Sequence, residues 1–213
     1  MFEKLETLID RSFQMHEAVY RHVEQLSPCD DLRAAISFDS GALALEHASS
    51  SLELIDGGRL NSAMALMRPQ FETLVRGIWL AHAASDLWVE KLAQPLTVSS
   101  EKQANDGPTP AEMLKQLEAG SDSPHAIVDQ LKEFKAVLWK PLSGFTHGGI
   151  HPLSRQVTGY SPQLVLGALR NSNGLLGLTA QLMSLMTGDV TQMGPVRQMH
   201  QEFSDCLPLV AGR

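Results

Sequence analysis

Cysteine is nearly absent. Cys29 and Cys206 are the only two in 213 residues, and they lie far apart in no metal-ligand spacing. That excludes a disulfide-stapled secreted scaffold and a zinc-finger type of site. With nine methionines beside them, the expected compartment is the reducing cytoplasm. Basic excess is absent too: 17 Lys and Arg stand against 24 Asp and Glu, for a net charge of −7. An extended nucleic-acid footprint is usually basic, so nucleic acid is disfavoured as a partner, though a local basic patch stays open. The N-terminus has neither a basic start nor an apolar run, so no signal peptide is expected. Val, Ile, Thr and aromatic residues never alternate over a strand's length, which leaves no strand signal.

A clean membrane span is also missing. Residues 161–187 are the most apolar stretch, with Leu164, Val165, Leu166, Leu169, Leu175, Leu176, Leu178 and Leu182. Arg170, Asn171, Ser172 and Asn173 would then lie at mid-bilayer, at a cost of several kcal/mol. A helix buried all round, or covered on one side by a second copy, fits better than a span.

What is present is helical periodicity in ordinary globular proportions, 43% hydrophobic and 19% charged. The expectation is an all-α, single-domain helical bundle of seven or eight helices over residues 1–213. Residues 2–26 carry Leu5, Leu8, Met15 and Val19 at helical spacing. Asp30 or Asp31 can cap a second helix over 31–55, whose stripe reads Ile36, Leu43, Ser50 and Leu54, with His47 on it. Its many Ala, Ser and Gly residues favour close packing on the central helix. Further helices are expected over 86–93, 111–119, 123–142, 161–187 and 192–206. A long loop, rich in Pro, Ser, Asn and Gly, is expected at 94–110.

The central helix, residues 61–84, organises the rest. At roughly 100° per residue, Arg68, Glu72 and His82 share an arc with Phe71, Val75, Ile78 and Trp79. Surface helices normally separate these classes. Charges on a core-facing arc must be paired or must shift their pKa. Two readings follow. Arg68, Glu72 and Arg76, spaced by four, form a structural ladder. Alternatively the arc is a pocket wall, with Arg68 holding an anion and Glu72 or His82 moving a proton. Pro69 predicts either a kink or a fresh helix start beside Arg68.

The second constellation is Thr146-His147-Gly148-Gly149-Ile150-His151. Two histidines four apart suit a metal on a continuous helix, but Gly148, Gly149 and Pro152 argue against continuity. No metal or other cofactor is therefore expected. The glycines permit a tight backbone, and His147, His151 and Arg155 offer polar side chains from one loop. His147 also suits the negative end of a helix. A meeting of this loop with Arg68 and Glu72 would build a site from two distant segments.

Arg68-Pro69-x-x-Glu72-x-x-x-Arg76, followed by Phe145-Thr146-His147-Gly148-Gly149-x-His151, resembles a bacterial all-α family of unknown function. The resemblance covers most of the chain and implies a helical fold without an assigned activity. A second resemblance is to HEPN ribonucleases, which are helical, dimeric and metal-independent and carry Arg, four to six residues, then His. Arg76 and His82 fit that spacing, as do Arg11 and His16, but Gly77 and Ser12 stand where a different polar residue is usual. That resemblance implies RNA cleavage, with Arg76 stabilising the phosphorane and His82 as general acid and base. The leading expectation is a cytoplasmic homodimeric bundle that binds a small anionic ligand or a protein partner. Its site would draw on Arg68, Glu72, His147, His151 and Arg155, with Glu72, Arg76 and His82 as catalytic candidates. A purely structural or interaction module is the third possibility.

Overall fold

The computed structural model describes residues 2–95, 97 and 107–208. The described residues form nine α-helices and no strand. They are α1 (Phe2–Val23), α2 (Leu32–Asp56), α3 (Leu60–His82), α4 (Asp86–Ala93) and α5 (Pro110–Ala119). After these come α6 (His125–Thr146), α7 (Ile150–Thr158), α8 (Pro162–Met186) and α9 (Met193–Glu202), with 3-10 turns at Val190–Gln192 and Ser204–Cys206. The loop expected at 94–110 lies mostly outside the described residues. No helix among the described residues is long and apolar enough to cross a membrane.

Local chemistry sets the boundaries. Asp31 caps α2, its carboxylate accepting from the Ala34 amide at 2.8 Å. Thr109 and Glu112 form a reciprocal capping box at α5. Ser161 caps α8, with Pro162 in its first turn.

Helix α3 is the hub. It packs on α2 most extensively, and also on α5, α6 and α8. Phe71, Leu74, Val75, Ile78, Trp79 and Leu80 are buried along it. They join one apolar cluster with α4, α5 and α6. A second cluster gathers α1, α2, α8 and α9. Helix α8 contributes to both, which explains its near-complete apolar girdle.

The stripe expected on α2 is displaced. Leu43 is 43% exposed, while Ala34, Ser37, Gly41, Ala44, Ala48 and Ser51 are buried with Leu45, Leu52 and Ile55. His47 is only half-buried. The cause is the distance between axes. A Cβ on Gly77 of α3 would stand 3.2 Å from the Ser37 carbonyl oxygen and 2.7 Å from Leu182 Cδ2. Backbones this close leave room for small side chains only, so the small residues, not the large ones, face inward.

Further expectations change. Pro69 does not start a fresh helix, because α3 continues without interruption from Leu60 to His82. Likewise α6 passes Pro141 and ends four residues beyond the expected 142, at Thr146. The segment after it is not a loop but a corner into α7. The expected helix at 192–206 is shorter, Met193–Glu202 between its two 3-10 turns, and α1 stops at Val23, three residues early.

Candidate functional site

Arg68 lies in the middle of α3, with its side chain 18% exposed. Its guanidinium is held on three sides. Nε donates to Glu72 Oε1 at 2.8 Å, one turn along the same helix. Nη1 donates to Ser143 Oγ at 2.8 Å and reaches His147 Nε2 at 3.1 Å, both from the end of α6. The plane rests on Trp139, with Cζ 4.5 Å from the ring centroid. The charged residue on the apolar arc is therefore paired, as burial demands.

The bond to His147 has a consequence. Guanidinium nitrogens donate and never accept, so His147 Nε2 must be the acceptor. A ring that accepts through Nε2 carries its proton on Nδ1. His147 is the C-cap residue of α6 and is exposed. Among the described residues its Nδ1 and Arg68 Nη2 have no hydrogen-bond partner.

Backbone geometry holds His147 at that place. Gly148 adopts φ of 64°, the left-handed conformation that closes a helix. Gly149 N then donates to Gly144 O at 2.7 Å, the six-to-one bond of a Schellman ending. Helix α7 starts immediately after, with no side-chain cap on its first amides. Next to the corner, Pro69 deprives the Ala65 carbonyl of its helical donor. Thr146 Oγ1 sits 3.5 Å from that oxygen while donating to Leu142 O at 3.1 Å. So the segment around Arg68 and Pro69 and the segment from Ser143 to Gly149 dock directly on each other.

The remaining expected residues are placed elsewhere. His151 lies on α7 with its ring 6.3 Å from that of Phe145. Arg155 sits over Tyr160, 5.8 Å from the centroid. Neither bonds to Arg68 or Glu72. The ladder reading fails in its second half, since Glu72 makes no ion pair with Arg76 among the described residues. Arg76 instead approaches Gly107. His82 closes α3, half-buried, and burial lowers its pKa. No hydrogen bond joins Arg76 to His82 among the described residues. In the other HEPN-like pair, Arg11 is bound to Asp205 and His16 is only 5% exposed. No group of three His, Cys, Asp or Glu side chains suited to a metal occurs among the described residues.

Ser143 and Trp139 were not legible as site residues. Their only signal is spacing, since Trp139, Ser143 and His147 recur every four residues and line one edge of α6. Gln70 was also missed. It is fully buried and exchanges two hydrogen bonds with Ser172 of α8, at 3.0 and 2.8 Å.

Fold and site together define an all-α bundle whose central helix carries a polar corner rather than a deep pocket. Two shallow hollows among the described residues lie away from it, about 460 Å³ beside Leu87 and Trp88 and about 140 Å³ beside Cys29 and Arg33. The chain belongs to the family of unknown function DUF6988, matched over residues 41–209. Both halves of the corner fall inside that span. No curated protein and no solved structure matches the chain.

Proposed function

We propose that the chain is a binding protein that takes a small anion, a carboxylate or phosphate group, at the corner formed by Arg68 and His147. The observation that carries this reading is the Arg68–His147 bond. It fixes the ring with Nδ1 as donor and leaves Arg68 Nη2 free, so two donors are supplied by one rigid pair. Glu72 holds the Nε edge and sets the guanidinium's orientation. The uncapped start of α7, three residues after His147, adds free amides of the sign an anion prefers.

In this reading the protein works in the cytoplasm as a homodimer. Helix α7 supports the second point. None of its residues is buried, and Ile150, Leu153 and Val157 are exposed by 80%, 66% and 87% at one-stripe spacing. Light scattering on wild type and Leu153→Glu checks it: a dimer that becomes a monomer is expected, and a wild-type monomer ends the dimer reading.

Binding is tested by titrating inorganic phosphate and acetate while following the melting midpoint and the His147 ring resonances. Saturable shifts are expected in wild type, with a midpoint rise of roughly 2–4 °C for each kcal/mol of linkage. They should vanish in Arg68→Ala. A flat response from both anions contradicts the reading. A specific observation favours a second reading, in which the corner is an interhelical clamp: Ser143 and His147 both spend their bonds on Arg68. Under that reading Arg68→Ala lowers the midpoint strongly and no anion restores it.

A further inference from the structure

A second polar cluster lies between α1, α8 and the Ser204–Cys206 turn. His16 of α1 is 5% exposed, and neither ring nitrogen has a hydrogen-bond partner. It faces Asn173 of α8, which is fully buried and whose Oδ1 also lacks a partner. Asn173 Nδ2 is committed twice, to Ser12 Oγ at 2.8 Å and to the Cys206 carbonyl at 3.2 Å. One amide thus ties α1, α8 and the C-terminal turn together. The same turn is held from outside, where Arg11 pairs with Asp205 at 3.2 Å and donates to Glu202 O at 2.9 Å.

We propose that His16 is an acid-released latch: proton uptake by its ring frees the turn Ser204–Cys206 from α1 and α8. A neutral ring needs one acceptor, and the unpartnered Asn173 Oδ1 is the neighbouring group that can supply it with a small shift of the ring. An imidazolium needs two, in a site that offers one and is closed to bulk solvent. The charged groups around the cluster give no relief. Arg11 is on the same helix, Arg170 on α8 has a buried Nε without a partner, and Cys206 is a buried thiol. Glu202 and Asp205 stand on the Arg11 side, and Asp205 is already bound to that guanidinium. Helix α2, also packed on α1, carries no buried titratable group. Its acids Asp39, Glu46, Glu53 and Asp56 are exposed, and Arg33 and His47 are half-buried.

Opening restores water to the ring, so the open form takes the proton first. Burial pushes the His16 pKa down to about 4 in the closed form, against about 6.5 for a solvated ring. The population of the open form should then rise about 30-fold between pH 7.5 and pH 5. Global unfolding is distinguishable, because Trp79, Trp88 and Trp139 all belong to the cluster around α3 and not to this one.

Cys206 reports on the latch. It is 0% exposed, and burial pushes its pKa up to about 11, whereas Cys29 is exposed. The experiment uses the full chain carrying Cys29→Ser and a dithiodipyridine reagent that reacts with thiols below neutral pH. Rates are normalised to a small thiol, with tryptophan fluorescence recorded in parallel. The expected result is a normalised Cys206 rate that climbs about 30-fold from pH 7.5 to pH 5 with unchanged fluorescence, and a flat profile in His16→Gln. A flat profile in the His16-containing chain overturns the proposal without any His16 variant. So does a climb that follows the tryptophan signal, or one that persists in His16→Gln or His16→Phe.

Discussion

Arg68 and His16 present the same problem in two separate polar clusters, one on α3 and α6 and one on α1 and α8, and the chain solves it in opposite ways. Arg68 is a charge at 18% exposure on the core-facing arc of α3, and its guanidinium finds Glu72, Ser143, His147 and the face of Trp139. His16 is more deeply buried, at 5% exposure, yet its ring makes no hydrogen bond and stays neutral instead. Pairing keeps a charge at partial burial, while desolvation removes it at full burial. The first arrangement leaves donors at an exposed edge, where a ligand can reach them. The second leaves a strained group in the interior, where only a proton matters. Position relative to solvent, not residue type, separates a binding candidate from a switch candidate.

The comparison can be broken at several points. The largest effect is expected from Asn173→Leu, which takes the side-chain donor from the Cys206 carbonyl and from Ser12 Oγ and breaks the tie between α1, α8 and the turn. Urea unfolding should show a loss of about 3 kcal/mol. If Arg68→Ala costs as much, the two clusters are energetically alike and the contrast fails.

Next is the pH dependence of His16. Its folded pKa is lowered, so the unfolded chain takes up the proton first as pH falls below about 6.5. Stability from this group is full above that value and is lost as pH falls towards about 4. Between pH 7.5 and 4.5 wild type should lose about 2–3 kcal/mol more than His16→Leu. Equal losses would show that the ring is already hydrogen-bonded or solvated.

A smaller effect is expected at the corner. Gly148→Ala forces a side chain into the left-handed region at φ of 64° and should cost about 1 kcal/mol. No cost in a melt would mean that the Schellman ending does not fix His147. Smaller still is Glu72→Gln. Its carboxylate is 32% exposed, so the loss should be at most about 1 kcal/mol and should shrink in 0.5 M salt. A salt-independent loss would place the pair deeper than the structure does.

Much of this was readable in the chain. The helical periods, the Asp31 cap and the mixed arc on α3 follow from local spacing alone. The docking of Arg68 on the Ser143–His147 edge was anticipated only as a possible link, because nothing local joins residues 75 and 79 positions apart. The buried face of α2 was misread because weight went to Leu43 and Ile36, whereas the close approach at Gly77 selects Ala, Ser and Gly. Helix α7 escaped because Gly148, Gly149 and Pro152 look like loop chemistry. In fact Gly148 ends one helix and Pro152 sits in the first turn of the next, where its missing donor costs nothing. The His16 cluster was not legible as a cluster: His16 stood out only through its spacing from Arg11, and Ser12, His16, Asn173 and Cys206 meet only through tertiary packing.

The most direct test of the central claim, that Arg68 and His147 form a receiving site for an anion, is a melt of wild type and Arg68→Ala with and without inorganic phosphate. The account predicts a small loss of stability in the variant without phosphate, together with a phosphate-dependent rise in wild type alone. A large loss in the variant with no response to phosphate in either protein would contradict it and leave the corner a clamp between α3 and α6.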